Sequence, residues 1–305
     1  MEDKKIINVN MLGGFSLSQG KEPIPLEYAN TTKMIQLLIS VLAAGNAGIP
    51  RKQLIDRLYG NDVLEDPAVT LRVNAHRLRK YLKKTEAFKD ADCIRIKLGN
   101  YFWDRNEVPV ELDTEVFVNA YEQAEMETDE ETKLSYLMKA CRVYQGDFLP
   151  ELGGEEWVAI ACADYQKKYF ECLKEAEIIL LKQDRHEELL ELSEQACRYY
   201  PYEEFYLLQI DCLMSLGRFK EAMEVYEKAT TFYFEELGLT PSEEMVERFH
   251  AMSDKVQYHA VVMTDIKQGL QEEKFQSGAY FCTYPGFTDC YHIVCRMLER
   301  NGQSA

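Results

Sequence analysis

The stretch PAVTLRVNAHRLRKYLKK, residues 67–84, carries Arg72, Arg77, Arg79, Lys80, Lys83 and Lys84 without one acidic residue. A guanidinium offers a fork of N–H donors that matches a phosphate or the O6 and N7 edge of guanine, and a lysine ammonium acts as a point charge on a polyanion backbone. These residue types therefore offer anion recognition, not bond making or breaking. The alternative is a solvated helix face with no partner, which a charge run also produces. Only the neighbouring elements can decide between the two.

Other reactive residue types form no recognised arrangement. Cys290, His292 and Cys295 make a CxHxxC cluster of metal-ligand types. A structural zinc site needs four ligands, however, and Cys282 stands in no paired spacing with them. No metal is expected, and packing in an amphipathic helix accounts for these thiols. The nine cysteines contain no CxxC pair, as suits reduced thiols in a chain without a disulfide framework. GxxxxGKS/T, GxGxxG, HExxH and GxSxG are all absent, and with them the phosphate cradle, dinucleotide turn, zinc helix and nucleophile elbow. Neither catalysis nor a cofactor is expected. The tyrosines at 199, 200, 202, 206, 226 and 233 could line a ligand groove or, as an aromatic stripe at helical spacing, simply fill a core.

At 305 residues and a net charge of -17, the chain has room for about two domains of ~100 to 200 residues. The charge is unevenly spread: residues 1–112 hold 17 Lys plus Arg against 14 Asp plus Glu, and residues 113–305 hold 18 against 38. An acidic body repels polyanions over a Debye length of ~8 to 10 Å, so nucleic-acid contact must use a local basic patch. The stretch 67–84 is the dense candidate. MEDKKIINVN lacks the apolar core of a signal peptide and no run of ~18 apolar residues occurs, so a cytoplasmic protein without membrane contact is expected.

The elements that must position the basic stretch read in a definite order. Ile6–Val9 and Phe15–Leu17 are short β-prone runs around Leu12-Gly13-Gly14, closed by Pro23 and Pro25. Thr32–Ala44 predicts a helix with Met34, Leu37, Leu38, Val41 and Leu42 inward, stopped by Gly45-Asn46-Ala47-Gly48. Pro50–Tyr59 predicts a shorter helix with Leu54, Ile55 and Leu58 inward. The basic stretch is the third helix, with Pro67 in its first turn. Leu71, Ala75, Leu78 and Leu82 line up on one face of it, and Arg72, His76, Arg79 and Lys83 on another. CIRIKLGNYFWD then predicts a hairpin in which Ile94, Ile96 and Leu98 alternate with Arg95 and Lys97 around a Gly99-Asn100 turn. A short helix, a basic helix and a two-stranded ribbon in this order make the winged form of a helix-turn-helix, whose second helix enters the major groove of DNA. Arg95, Lys97 and Asn100 would form the wing. Lys83 and Lys84, late in the helix, suit phosphates better than bases.

From Asp113 onward the strand signal disappears. LLKQDRHEELLELSEQA and LMSLGRFKEAMEVYEKA superpose at an offset of 33 residues, matching Arg185 to Arg218, Leu189 to Ala222 and Ala196 to Ala229. That offset lies beside the tetratricopeptide period of ~34. After His259 the pattern breaks down; a turn at Tyr284-Pro285-Gly286 and a helix stopped by Asn301-Gly302 are expected. A chain ending three residues past a helix-stop signal suggests that the natural product continues.

The order MLGGFSL, QLIDRLYG, VTLRVNAHRLRKYLKK and IRIKLGNYFW resembles the response-regulator, OmpR-like type of winged-helix DNA-binding domain. ELDTEVFVNAYEQA, CRVYQGDFLPEL, GRFKEAMEVYEKA and FEELGLTPSEEM resemble the bacterial transcriptional activator domain. Together they resemble the antibiotic regulatory protein (SARP) class of bacterial transcription regulators over about residues 5–257. The resemblance implies binding to promoter repeats as paired protomers, and activation by contact with RNA polymerase. It places Arg72, Val73 and His76 against bases, Thr70, Arg77, Arg79 and Lys80 against phosphates, and adds Tyr101 to the wing. The chain departs from two-component regulators in one respect: their receiver domain is absent, so no phosphorylatable aspartate is expected.

The expected fold class is mainly α with a small β component. A winged helix-turn-helix domain at 1–112 precedes an all-helical tetratricopeptide-like domain at 113–258, and 259–305 form a linker and the start of a further domain. The expected function is sequence-specific binding of double-stranded DNA in transcription control, with RNA polymerase and a second protomer as partners. Two alternatives stay open. MLERNGQSA weakly resembles the helix entering nucleotide-cyclase-like domains, which would make the chain the output part of a signalling protein. A tetratricopeptide adaptor that binds only protein is the other.

Overall fold

The computed structural model describes residues 6–60, 62–89, 91–259 and 284–300. Its contacts divide the chain into two compact units, Met1–Ala176 and Glu177–Ala305.

The first unit opens with β1 (Ile7–Asn10), β2 (Ser16–Gln19) and β3 (Glu22–Pro23), joined antiparallel. Period-2 alternation buries Ile7 and Val9. Three helices follow, all inside the expected spans. α1 (Lys33–Ala43) is buried from Ile35 to Leu42, with Met34 half-buried. α2 (Arg51–Tyr59) buries Leu54, Leu58 and Tyr59 and leaves Ile55 half-buried. α3 (Pro67–Leu82) is started by Asp66, whose carboxylate accepts the Val69 N–H at 3.0 Å. Pro67 at its first position gives up no helical hydrogen bond there. The expected inner residues Leu71, Ala75, Leu78 and Leu82 are all buried, joined by Tyr81.

A second sheet in the order β4-β6-β5 is formed by β4 (Ile49–Pro50), β5 (Ile94–Lys97) and β6 (Asn100–Trp103). Lys97 pairs with Asn100, so the hairpin turn is Leu98-Gly99 and not the expected Gly99-Asn100. Both turn residues have positive φ, 52° and 83°, as a two-residue turn matching strand twist requires. β7 (Val110–Leu112) then returns to pair parallel with β1, completing the sheet β3-β2-β1-β7. β4 and β7 carry no sequence signal of their own, since two or three residues are too few to show a period.

α4 (Asp113–Met126), α5 (Glu130–Val143) and α6 (Glu156–Lys182) follow. The Asp113 carboxylate ties the start of α4 to the end of β1, accepting the N–H groups of Met11 at 2.7 Å and Leu12 at 2.8 Å. Glu151 does the same for Phe15 N–H and the Asn30 amide, both at 2.8 Å. Gly13 lies so close to this region that a Cβ there would stand 2.5 Å from the Gln145 carbonyl oxygen, and its φ of +89° also favours glycine. Phe117, Tyr144 and Tyr169 are fully buried, and the Tyr144 and Tyr169 rings stack at 4.1 Å.

The second unit holds α7 (His186–Tyr199), α8 (Glu203–Ser215), α9 (Phe219–Leu237), α10 (Glu243–His259) and α11 (Tyr284–Arg300). The 33-residue offset is a repeat of geometry. Asp184 and Gly217 both have positive φ. Arg185 and Arg218 cap α7 and α9 with φ of -91° and -89°. Each arginine also bonds the glutamate three residues on, Glu188 and Glu221. Leu189, Ala222, Ala196 and Ala229 are fully buried, as stacked helix pairs require. Of the tyrosine stripe, Tyr200, Tyr206 and Tyr226 are buried, Tyr199 and Tyr233 half-buried and Tyr202 exposed.

One expectation near the chain end is corrected. Tyr284, Pro285 and Gly286 begin α11 instead of forming a turn before it, because a proline is tolerated in the first turn of a helix, where no N–H is needed. The expected stop at Asn301-Gly302 lies outside the described residues, as does part of MLERNGQSA.

Candidate nucleic-acid interface

α3 presents its basic residues on the side away from the core. Arg72, Val73, His76, Arg77, Lys80, Lys83 and Lys84 are exposed. At about 100° per residue these side chains and the exposed Val69 fall within an arc of about 140°. The five buried residues occupy the opposite arc. Arg72, Arg77, Lys80, Lys83 and Lys84 form no ion pair among the described residues. Their charge is uncompensated locally. Thr70 is half-buried at the edge of the arc, and its hydroxyl donates to the Asp66 carbonyl at 3.1 Å.

Arg79 is placed differently. Its Nε donates to the Ile94 carbonyl at 3.0 Å, with the Asp92 carboxylate 3.9 Å away, so the side chain fastens α3 to β5. Arg95 is likewise engaged within the protein: Nε lies 2.5 Å from the Asp104 carboxylate and Nη2 3.1 Å from Glu107. Among the wing residues Lys97 is exposed and Asn100 half-buried. Tyr101 departs from expectation, being fully buried. The pleat of β6 turns Tyr101 and Trp103 inward, and Asn100 and Phe102 outward. Tyr101 fills the core beneath the wing and cannot touch a ligand there.

The structure adds residues that sequence reasoning passed over. Arg51 and Lys52, exposed at the start of α2, stand beside the wing, since the Arg51 N–H donates to the Gly99 carbonyl at 3.0 Å. Their only sequence signal is a basic pair after Pro50. At the wing tip Leu98 is 95 % exposed, with Ile96 half-exposed below it. A leucine in left-handed backbone costs about 1 to 2 kcal/mol relative to the usual conformation, and its sequence signal is a non-glycine residue before the hairpin glycine. On α2 the Arg57 guanidinium stacks over the Trp157 ring at 4.2 Å. Burial lowers its pKa from the ordinary arginine value, so this cation is an internal tie and not part of the exposed patch.

A three-helix head with a wing sheet and an exposed basic face, in a chain that continues as stacked helices, has the fold of a winged helix followed by a helical domain. Residues 112–252 match the family model described as bacterial transcriptional activator domain. Mycobacterium tuberculosis EmbR, solved in complex with a low affinity phosphopeptide, is similar in structure with a TM-score of 0.52 at 17 % identity, over 89 % of this chain and 74 % of that one. No curated protein matches the sequence. The domain match falls on the helical region, and the likeness to EmbR is one of fold. Among the described residues no helix is long and apolar enough to cross a membrane.

Proposed function

We propose that the chain is a transcriptional activator of the cytoplasm that binds double-stranded DNA sequence-specifically through α3 and the wing. The observation that carries this is the arc of exposed cations on α3, set opposite its buried face, together with the exposed Lys97, Arg51 and Lys52. Arg72, Val73 and His76, in the first half of the helix, read base edges in the major groove, the apolar Val73 suiting a thymine methyl. Arg77, Lys80, Lys83 and Lys84 hold phosphates on one side; Thr70 joins them by exchanging its bond to Asp66. Lys97 and Asn100 hold the backbone on the wing side. Arg79 and Arg95 position α3 and the wing from within the protein. The helical region, with its excess of acidic residues, is unsuited to DNA and contacts RNA polymerase or a second protomer. No residue is assigned a catalytic role.

Selection of bound duplexes from a random pool tests the reading: a recurrent motif is expected. Affinity should fall linearly with the logarithm of salt concentration, with a slope on the order of -5 for five or six neutralised phosphates. A protein-only adaptor would recover no motif and show no such slope.

A further inference from the structure

We infer that Leu98 at the wing tip is an apolar wedge that enters the minor groove and unstacks one base step beside the site read by α3; this rests on the DNA-binding reading above. Leu98 is 95 % exposed and its φ is 52°. Neither packing nor turn chemistry accounts for it: it buries almost nothing, and asparagine or glycine fits a left-handed turn position at lower cost. A residue that a left-handed turn disfavours stands where the chain projects furthest from the wing strands.

The tip is held in place from below. Lys97 and Asn100 pair across the hairpin, the Arg51 N–H donates to the Gly99 carbonyl at 3.0 Å, and β4 pairs with β6. Ile96, 43 % exposed, extends the apolar surface down the ribbon. Lys97, next in the chain, is exposed, as are Arg51, whose N–H meets the Gly99 carbonyl, and Lys52 after it. A rigid apolar point with cationic residues close to it in the fold is complementary to a groove lined by phosphates whose floor is stacked bases. Proteins that insert leucine or isoleucine between base steps kink the duplex, most easily at pyrimidine–purine steps such as TA or CA. The Arg79 bond to Ile94 sets the wing against α3, so the wedge should act at a fixed distance from the bases that α3 reads.

The test uses the full chain and a duplex recovered from the random-pool selection, labelled with 2-aminopurine at successive positions on the wing side. Wild-type protein should raise fluorescence severalfold at one step, and the step should be pyrimidine–purine. Leu98→Asn and Leu98→Gly keep the turn, so their thermal midpoints should be unchanged or higher. Both should abolish the fluorescence rise while keeping affinity within about tenfold, a difference of about 1.4 kcal/mol. Wild-type protein that binds the duplex with no rise at any step overturns the wedge and leaves DNA binding standing. A rise that persists in Leu98→Asn also overturns it, and failure of the selection to yield a bound duplex overturns both readings.

Discussion

Arg72, Lys84 and Arg95 carry the same charge in three different surroundings. Arg72 sits exposed in the first half of α3, with its Nε donating to the Ala68 carbonyl at 3.4 Å. Lys84 lies just beyond the last helical residue, and Arg95 is paired with Asp104 and Glu107. Arg72→Ala should cost about 1 to 3 kcal/mol on the selected duplex and little on random DNA, so that discrimination falls. Lys84→Ala should weaken both alike and lower the salt slope by about 1. Arg95→Ala should instead lower the unfolding midpoint, because the largely buried Asp104 loses its partner. Fluorescence anisotropy against both duplexes, with a urea titration of each variant, separates the three. Unchanged preference in Arg72→Ala would sink the assigned recognition face.

Among the elements, the junction of β1 with α4 is where a single carboxylate does the joining. Asp113 accepts the Met11 and Leu12 N–H groups through one oxygen and Thr114 N–H through the other. These bonds favour the anion, yet burial outweighs them and raises the pKa from 3.8 to about 6. Asparagine turns an amide N–H toward a donor in place of an acceptor, so Asp113→Asn should cost about 1 to 3 kcal/mol. The pH dependence has a definite sign. Between the unfolded value of 3.8 and the folded value of about 6 the unfolded chain loses its proton first, so ionisation favours unfolding. The advantage of wild type over Asp113→Asn should therefore shrink as pH rises through this window, by up to about 3 kcal/mol, and level off above it. Paired urea titrations across the window measure this; an advantage that grows with pH would show that the hydrogen bonds outweigh burial.

For the whole molecule, charge is divided unevenly along the chain. Residues 1–112 carry a small excess of cations and residues 113–305 a large excess of acids. The repeated caps at Arg185 and Arg218 build stacked helices, an architecture that presents extended surfaces for partners. Light scattering should give a mass of two protomers on the selected duplex, and immobilised chain should retain RNA polymerase. A strict monomer on DNA that leaves polymerase unbound would remove the partner role from the helical region.

The three helices of the head, their inner faces and the 33-residue repeat were legible because each rests on a period: 3.6 residues for a helix buried on one side, and a full helix pair for a stacked array. The basic arc of α3 follows from the same period, since a helix whose apolar line is known has its exposed line fixed as well. What sequence could not supply depends on partners far along the chain. β7 exists as a strand because it meets β1 some hundred residues earlier, and Asp113 matters because the ends of that pairing leave the Met11 and Leu12 N–H groups to be met. Arg79 and Arg95 read as DNA-facing cations, and only the approach of Ile94, Asp104 and Glu107 shows that they are engaged inside the protein. Tyr101 turned inward and Leu98 outward because pairing register, set by Lys97 opposite Asn100, decides which side of a ribbon each residue faces. A one-residue difference in that register exchanges the faces, and local composition cannot fix it.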